Sequence, residues 1–252
     1  MFNNISFILH KPQLSENIGA CARAIKNMRF NKLGLLNPLN FPSDEAFFRA
    51  KGAGDLLDSA KIYSSLDDAL SEKTLVLGTS ARDRTIPWPS VFTNNIDKDI
   101  SNLDNKNKIS ILFGREKSGL TNEELQRCHM HIKIPSSEDY TSLNLSHAVQ
   151  IISYELRNAL LKNQKNEIKS DVPLSTDKDD EFLLKHIDEV LLGLDFYDQN
   201  SSRQVKARIK RLLKKARPDK LEIGILRGFL SKIQEALNKK NHSDTIPFLF
   251  ES

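Results

Sequence analysis

The sequence at residues 109–124 reads ISILFGREKSGLTNEE. It begins with a run of apolar or small residues, Ile109–Phe113, which lacks polar alternation, as expected of a strand that is buried on both faces of a sheet. The run ends in a loop bounded by two glycines. After that loop, Thr121 and Glu124 have the spacing of a capping box that starts a helix. A buried strand that leads through a glycine-bounded loop into a helix predicts an α/β fold.

The same alternation of strands and helices extends over residues 1–162, which we predict to be one domain. The predicted strands are Ile5–Leu9, Leu33–Leu36, Thr74–Gly78, Ile109–Phe113 and His131–Pro135. The predicted helices are Asn17–Met28, Val91–Leu103, Thr121–Arg127 and Leu143–Lys162, with a mixed segment at 43–70. This order predicts a parallel sheet covered by helices on both faces, whose ligands bind in loops at the carboxyl ends of the strands.

The rest of the chain has a different pattern. Residues 163–178 lack an apolar period and are predicted to be a linker. Three apolar stripes over residues 179–242 predict a small helical extension, and residues 243–252 are left as a tail. The stripes are Leu183, Ile187, Val190, Leu191 and Leu194; Val205, Ile209, Leu212, Leu213 and Ala216; and Leu226, Phe229, Leu230, Ile233 and Leu237.

The charges are distributed unevenly along this extension. Residues 203–240 contain 13 Lys and Arg against three Asp and Glu, whereas residues 171–200 contain nine acidic and two basic residues. Three interpretations are open. The basic helix contacts a polyanion such as RNA, it pairs with the acidic segment, or it is simply solvated.

Composition and length exclude several classes of protein. Hydrophobic residues make up 39% of the 252 residues, which is too many for a disordered chain. No apolar run approaches the roughly 20 residues that span a bilayer, and the N-terminus lacks the pattern of a signal peptide. We therefore expect a soluble cytoplasmic protein with no membrane partner. The two cysteines allow no disulfide framework, and Cys128, His129 and His131 are expected to pack rather than to bind a metal.

Two motifs are incomplete, and a third is missing. Residues 114–121 resemble a P-loop, but Leu120 occupies the position of its phosphate-binding lysine. Residues 78–82 resemble a nucleophile elbow without its second glycine. No G-x-G-x-x-G follows a predicted strand, which argues against a dinucleotide oxidoreductase.

Three loop segments remain as candidate sites. Considered singly, each loop segment can be explained by structure alone. Gly19 allows close packing, although it would equally allow a ligand to approach closely, and Ser142 or Asn144 could cap a helix. Considered in order, they resemble the three motifs of the SPOUT superfamily of S-adenosylmethionine-dependent RNA methyltransferases. The matching residues are Asn17, Gly19 and Arg23; Phe113, Gly114, Glu116, Gly119 and Leu120; and Ser142, Leu143, Asn144 and Ser146.

The chain is most similar to the TrmJ-type subgroup, which methylates tRNA at anticodon-loop position 32. That subgroup has a G-T-S-A-R…P-W-P segment, here Gly78–Arg82 and Pro87–Pro89, and a helical C-terminal extension. The resemblance implies a sheet tied in a C-terminal trefoil knot, a homodimer, and transfer of a methyl group to a ribose 2′-hydroxyl without a metal. Ribosomal RNA as the substrate, or RNA binding without catalysis, remains an alternative.

The resemblance also implies roles for individual residues. The implied catalytic residues are Arg23, Ser142, Asn144, Glu116 and Asn17. The residues implied to bind S-adenosylmethionine are Thr79, Ser80, Ala81, Gly114, Ile134, Thr141, Ser142, Leu143 and Asn144. Contacts with tRNA are also expected from Arg82, Arg84 and Arg115 and, because of the charge of the basic helix rather than the resemblance, from Arg203, Arg208, Arg211 and Lys214. Because a guanidinium is a poor base, we expect Arg23 to orient a phosphate and to stabilise the developing alkoxide.

Overall fold

A computed structural model describes residues 2–80, 87–100, 106–137, 139, 141–163, 172–197 and 203–243. Its centre is a seven-stranded parallel sheet. The strands are β1 (Ile5–His10), β2 (Leu33–Leu36), β3 (Lys61–Tyr63), β4 (Leu75–Thr79), β5 (Ser90–Phe92), β6 (Ile109–Phe113) and β7 (Met130–Lys133). Their spatial order is β3-β2-β1-β6-β4-β7-β5.

Helices cover the sheet and also form the extension. In the sheet domain they are α1 (Ser15–Asn27), α2 (Asp44–Ala50), α3 (Gly54–Asp58), α4 (Leu66–Leu70), α5 (Asp97–Ile100), α6 (Asn122–Leu125) and α7 (Leu145–Asn163). In the extension they are α8 (Asp177–Gly193), α9 (Arg203–Ala216) and α10 (Lys220–Ser243). None of the helices in the described ranges is long and apolar enough to cross a membrane.

The predicted parallel α/β sheet is confirmed, and its core explains why the strands lack polar alternation. Every residue of β1 and β6 is buried. Phe7, Ile111 and their neighbours on the same face belong to one apolar cluster with α1 and α7, whereas Ile8 and Leu112 belong to a second cluster with α4 and Leu125 of α6. Because both faces of the sheet are covered, alternate side chains on both sides must be apolar.

The two edge strands were not predicted. β3 and β5 are three residues long, and β5 begins a segment that we predicted as the helix Val91–Leu103. That prediction is wrong over its first residues, because Val91 and Phe92 pair with β7 and only Asp97–Ile100 is α-helical among the residues described there. Short strands with half-exposed side chains give little apolar signal in the sequence.

Gly19 is required for packing between helices. A Cβ atom at this position would lie 2.0 Å from the carbonyl oxygen of Ala46, and α1 packs closely against α2. Of the two explanations left open for Gly19, the structure supports close packing, because the space beside the glycine is filled by backbone.

The extension has its own small core, formed by Leu183, Leu213 and Ile223. The third predicted stripe is partly wrong. Ile223 rather than Leu226 faces inward, and Phe229 is 66% exposed. The sequence of α10 contains two sets of apolar residues with helical spacing, and each set defines a different face of the helix. The sequence pattern alone did not show which of the two faces packs against the core.

Candidate active site

A cleft of about 180 Å³ opens at the carboxyl ends of the central strands. It is formed by the ends of β4, β6 and β7 together with the segment that leads into α7. Seven of the residues predicted to bind the cofactor line it: Thr79, Ser80, Gly114, Ile134, Thr141, Ser142 and Leu143. Apolar walls come from residues that the motifs did not single out as ligands: Phe113, Leu120, Ile132, Leu145 and Ala148.

The loop after β6 folds back tightly on itself. The backbone N–H of Gly119 donates to the carbonyl of Arg115 (2.9 Å), and the N–H of Arg115 donates to the carbonyl of Gly119 (3.3 Å). Gly119 has φ +66°, a conformation that favours glycine. A Cβ atom on Gly114 would lie 2.2 Å from the carbonyl carbon of Gly119. Both glycines are therefore needed to shape this wall of the cleft.

Three polar side chains connect the three motifs. Asn17 Nδ2 donates to Glu116 Oε1 (3.3 Å), and Asn144 Nδ2 donates to Asn17 Oδ1 (3.1 Å). Asn17 is buried, and Glu116 is partly exposed. Residues that are 127 positions apart in the sequence thus hold the motif loops in one arrangement.

Glu116 also completes the start of α1. Leu14 occupies the N-cap position and has no side chain that can accept a hydrogen bond. The Glu116 carboxylate instead accepts from the backbone N–H groups of Gln13 (3.1 Å) and Leu14 (3.2 Å). A carboxylate at a helix N-terminus is stabilised by the helix dipole. In this structure, Glu116 positions α1 against the loop that follows β6.

Asn144 is the residue that caps α7. Its Oδ1 accepts from the backbone N–H of Ser146 (2.8 Å) and from the hydroxyl of Ser146 (2.7 Å). Unlike Thr141, Ser142 and Leu143, Asn144 is absent from the lining of the cleft. The helix-cap interpretation therefore applies to Asn144, and Ser142 is left exposed at the cleft.

Arg115 is held by a neighbouring carboxylate rather than presented to solvent. Its two terminal nitrogens donate to the two oxygens of Glu124 at 3.0 and 2.8 Å, and its side chain is 19% exposed. Burial alone raises the pKa of Glu124, but hydrogen bonds from Arg115 and from the N–H of Thr121 outweigh it and lower that pKa to about 2. This arrangement does not support the predicted tRNA contact of Arg115.

Arg23 does not line the cleft of its own chain. It lies on the exposed side of α1, whereas Asn17, Cys21 and Ile25 are buried. Ala81, Arg82 and Arg84 fall outside the described residues.

Trp88 has a role that sequence reasoning missed. Its indole N–H donates to the carbonyl of Cys128 (2.8 Å), and its ring stacks on His131 with the centroids 6.0 Å apart. Trp88 therefore anchors the Pro87–Pro89 segment beside β7. The family motif in the sequence marked the tryptophan, but a single aromatic residue does not identify its partners.

The prediction that Lys214 contacts RNA is wrong. Its side chain is fully buried, and Nζ donates to Asp177 Oδ1 and Asp180 Oδ2, both at 2.9 Å. Burial by itself lowers the pKa of Lys214, but the two carboxylates outweigh it and raise that pKa above its ordinary value. The acidic and basic segments therefore pair in part. Arg203 and Arg208, in contrast, are exposed.

Comparison with known proteins agrees with this geometry. Residues 4–154 match the model of the SpoU rRNA Methylase family, and residues 178–242 match the model described as tRNA methyltransferase TrmJ, C-terminal domain. The tRNA (cytidine/uridine-2′-O-)-methyltransferase TrmJ of Escherichia coli strain K12 is 40% identical over 248 residues, which cover 97% of this chain and all of the relative. The chain belongs to the SpoU methylase family.

Solved structures place the chain in the TrmJ group of this family. TrmJ from Z. mobilis has a TM-score of 0.78 at 27% identity and covers 91% of this chain and 98% of that one. A probable methylase family protein from Haemophilus influenzae has a TM-score of 0.63 at 34% identity, with 95% and 100% coverage. The SPOUT fold is therefore shown for the sheet domain. Among the residues that the structure describes, no group of three His, Cys, Asp or Glu side chains could hold a metal ion.

Proposed function

We propose that this protein methylates the ribose 2′-hydroxyl of a cytidine or uridine in tRNA, at nucleotide 32 of the anticodon loop, in the cytoplasm. The observation that carries the proposal is the cleft at the ends of β4, β6 and β7, beside which Asn17, Glu116 and Asn144 connect the three motifs. The match of the extension to the TrmJ C-terminal domain favours tRNA as the substrate.

The residues of the cleft fit S-adenosylmethionine, which supplies an electrophilic methyl group when it is bound. Leu120, Ile134 and Leu145 provide apolar surface for a flat heteroaromatic base. The hydroxyls and backbone groups at 79–80 and 141–142 can hydrogen-bond its polar edge and the ribose. We assign this binding to the predicted cofactor residues along the cleft.

The protein itself contributes by placing the ribose and by stabilising the negative charge that develops on its 2′-oxygen. Ser142, exposed beside the cleft, is suited to orient the incoming ribose. The Arg23 guanidinium would hold the adjoining phosphate and stabilise negative charge on the 2′-oxygen as its proton leaves. Asn17, Glu116 and Asn144 act by fixing the loops that carry these groups.

The position of Arg23 supports a homodimer in which each active site combines two subunits. Arg23 is exposed and does not line the cleft of its own chain, so an arginine from a second chain could complete the site. The surface of α7 supports this arrangement, since Tyr154 is 51% exposed and Leu161 is 45% exposed. Apolar side chains on an exposed helix face are typical of a subunit interface. The trefoil knot remains part of the same proposal.

The basic face of α9 is proposed to contact tRNA through Arg203, Arg208 and Arg211. Changing all three to glutamine is expected to flatten the slope of log affinity against log salt by roughly 2–3, at about 0.7–0.9 per phosphate contact. The measurement is tRNA binding between roughly 50 and 300 mM salt, the range over which such contacts weaken.

The control for this triple variant removes the same number of charges elsewhere. Lys26, Lys108 and Lys232 are each paired with a surface carboxylate, and their change to glutamine should leave the slope unaltered. Equal slopes for the wild type and the arginine variant would exclude this face of α9 from tRNA binding.

The modified nucleotide can be mapped directly. A 2′-O-methyl group protects the neighbouring phosphodiester from alkali, so total RNA from cells with and without the protein can be compared nucleotide by nucleotide. We expect loss of protection at tRNA nucleotide 32. Loss at another tRNA position would correct the site, and loss in ribosomal RNA alone would overturn the tRNA assignment.

A further inference from the structure

A group of largely buried ionisable side chains joins the extension to the sheet domain. We call it the docking cluster, and its members are Arg127, His129, Asp177, Asp180 and Lys214. The side chains of Asp177, Asp180 and Lys214 are at most 1% exposed. Burying a charge is unfavourable unless an opposite charge and hydrogen bonds compensate it, so each member depends on the others.

The sheet domain contributes Arg127 and His129. Arg127 donates to Asp177 and also to Asp67 on α4. His129 Nδ1 accepts a hydrogen bond from the backbone N–H of Val76 in β4 (3.0 Å), so Nε2, which lies 3.5 Å from Asp180 Oδ2, carries the ring proton. Burial lowers the pKa of His129 to about 4, so the ring is neutral at pH 7.

The first turn of α8 is also fixed by its backbone. The N–H of Asp177 donates to the carbonyl of Lys73 (2.7 Å), and the N–H of Lys178 donates to the carbonyl of Ser71 (3.2 Å). These two carbonyls belong to the segment between α4 and β4. The start of α8 is therefore held by side chains and by main chain against the same part of the sheet domain.

Three lysines of α9 fix this basic helix against α8. Lys206, Lys210 and Lys214 are spaced four residues apart and face α8, where they pair with Asp188, Glu181 and the Asp177–Asp180 pair, respectively. Arg208 lies about half a turn around the helix from these lysines, and both it and Arg203, at the first position of α9, are exposed. The lysine side of α9 is thus used for docking, while the exposed arginines lie at the start of the helix and on its opposite side.

Apolar contacts do little to fix the extension on the sheet domain. The apolar cluster of the extension contains only residues of α8, α9 and α10. Within the described residues, Leu174, which precedes α8, is the extension residue that packs against the main core of the sheet domain. The docking cluster and the two backbone hydrogen bonds at the start of α8 are therefore the main specific connections between the two parts.

We propose that the docking cluster positions the exposed arginines of α9, Arg203 and Arg208, for tRNA. Arg127 and Lys214 are then positioning residues for substrate binding although neither touches the substrate. This inference rests on the proposed function, because it assumes that α9 contacts tRNA. It reverses the role that the charge of Lys214 suggested in the sequence.

The test compares Lys214→Met with Lys185→Met in the full-length protein. Lys185 lies on α8 with its side chain 75% exposed, so its loss removes the same charge without breaking the cluster. For Lys214→Met we expect KM for tRNA to rise about 10-fold, with kcat and KM for S-adenosylmethionine within about twofold of wild type, because a lost buried partner destabilises docking and not the cleft. Lys214→Arg, which keeps the charge, should restore most of the affinity for tRNA.

Hydrogen exchange provides a readout of docking that is independent of activity. The amides of Asp177 and Lys178 should exchange faster in Lys214→Met, whereas those of β1 and β6 should not change. If Lys214→Met does not fold, Arg127→Lys, which retains the charge but cannot reach all the acceptors of Arg127, is expected to raise KM for tRNA about threefold.

Three results would overturn the proposal: an unchanged KM for tRNA despite faster exchange at α8, an equal rise of KM for both substrates, or the same loss in Lys185→Met. Failure of the proposed function would look different, because the wild-type protein itself would then methylate no tRNA.

Discussion

Changing Arg23 to alanine is expected to lower the rate of methyl transfer by at least about 10²-fold, the effect of losing one group that stabilises charge in the transition state. Affinity for S-adenosylmethionine should stay within about twofold, because Arg23 lies outside the cleft of its own chain. The fold should also be retained, since the side chain is exposed on α1.

The measurement is single-turnover methylation of tRNA, with cofactor binding followed by calorimetry. Lys26→Ala is the matched control. Lys26 is an exposed cation one turn further along α1, and it pairs with Asp55 rather than facing a cleft. It should retain nearly full turnover. If Arg23→Ala turned over at the wild-type rate, Arg23 would have no part in the chemistry.

Changing Gly114 to alanine is expected to weaken binding of S-adenosylmethionine by roughly 100-fold. The added Cβ would lie 2.2–2.3 Å from the backbone of Gly119 and Leu120, so the loop after β6 must shift. Overpacking against backbone costs about 3 kcal/mol at the upper end of the usual range, which corresponds to about two orders of magnitude in affinity. The loss should be in cofactor affinity, because this loop is one wall of the cleft.

Gly228→Ala is the control for this substitution. A Cβ atom there meets nothing within 4 Å, and the residue lies in the interior of α10. Alanine in a helix interior is favoured over glycine, so this variant should be as stable as the wild type or more so. If Gly114→Ala bound the cofactor as tightly as the wild type, the proposed position of the cofactor would be incorrect.

Mixing the Arg23→Ala and Gly114→Ala variants tests whether each active site is formed by residues of both subunits. Arg23→Ala and Gly114→Ala homodimers should each be nearly inactive. In a heterodimer, both defects fall in one site and the other site is intact, so an equal mixture should regain about a quarter of wild-type activity. No recovery after verified subunit exchange would mean that each cleft uses the arginine of its own chain.

Much of the fold could be predicted because the signal was local. β1, β2, β4 and β6 are buried on both faces, apart from the last residue of β4, and this burial demands mostly apolar runs that are visible in the sequence. β3 and β5 lie at the sheet edges, where few side chains need to be apolar, and they were missed. The loop after β6 could also be identified from local sequence, because its tight turn requires glycine at both ends.

The sequence by itself determined the parallel α/β core, the three motifs and the helical extension, because each depends on residue types at short spacing. Only the tertiary structure decided that Glu116 caps α1, that Arg23 is absent from the lining of the cleft and that Lys214 is buried between two aspartates. A lysine has the same charge whether it faces solvent or a buried carboxylate. Which of these it meets depends on how distant helices pack, and local sequence does not encode that choice.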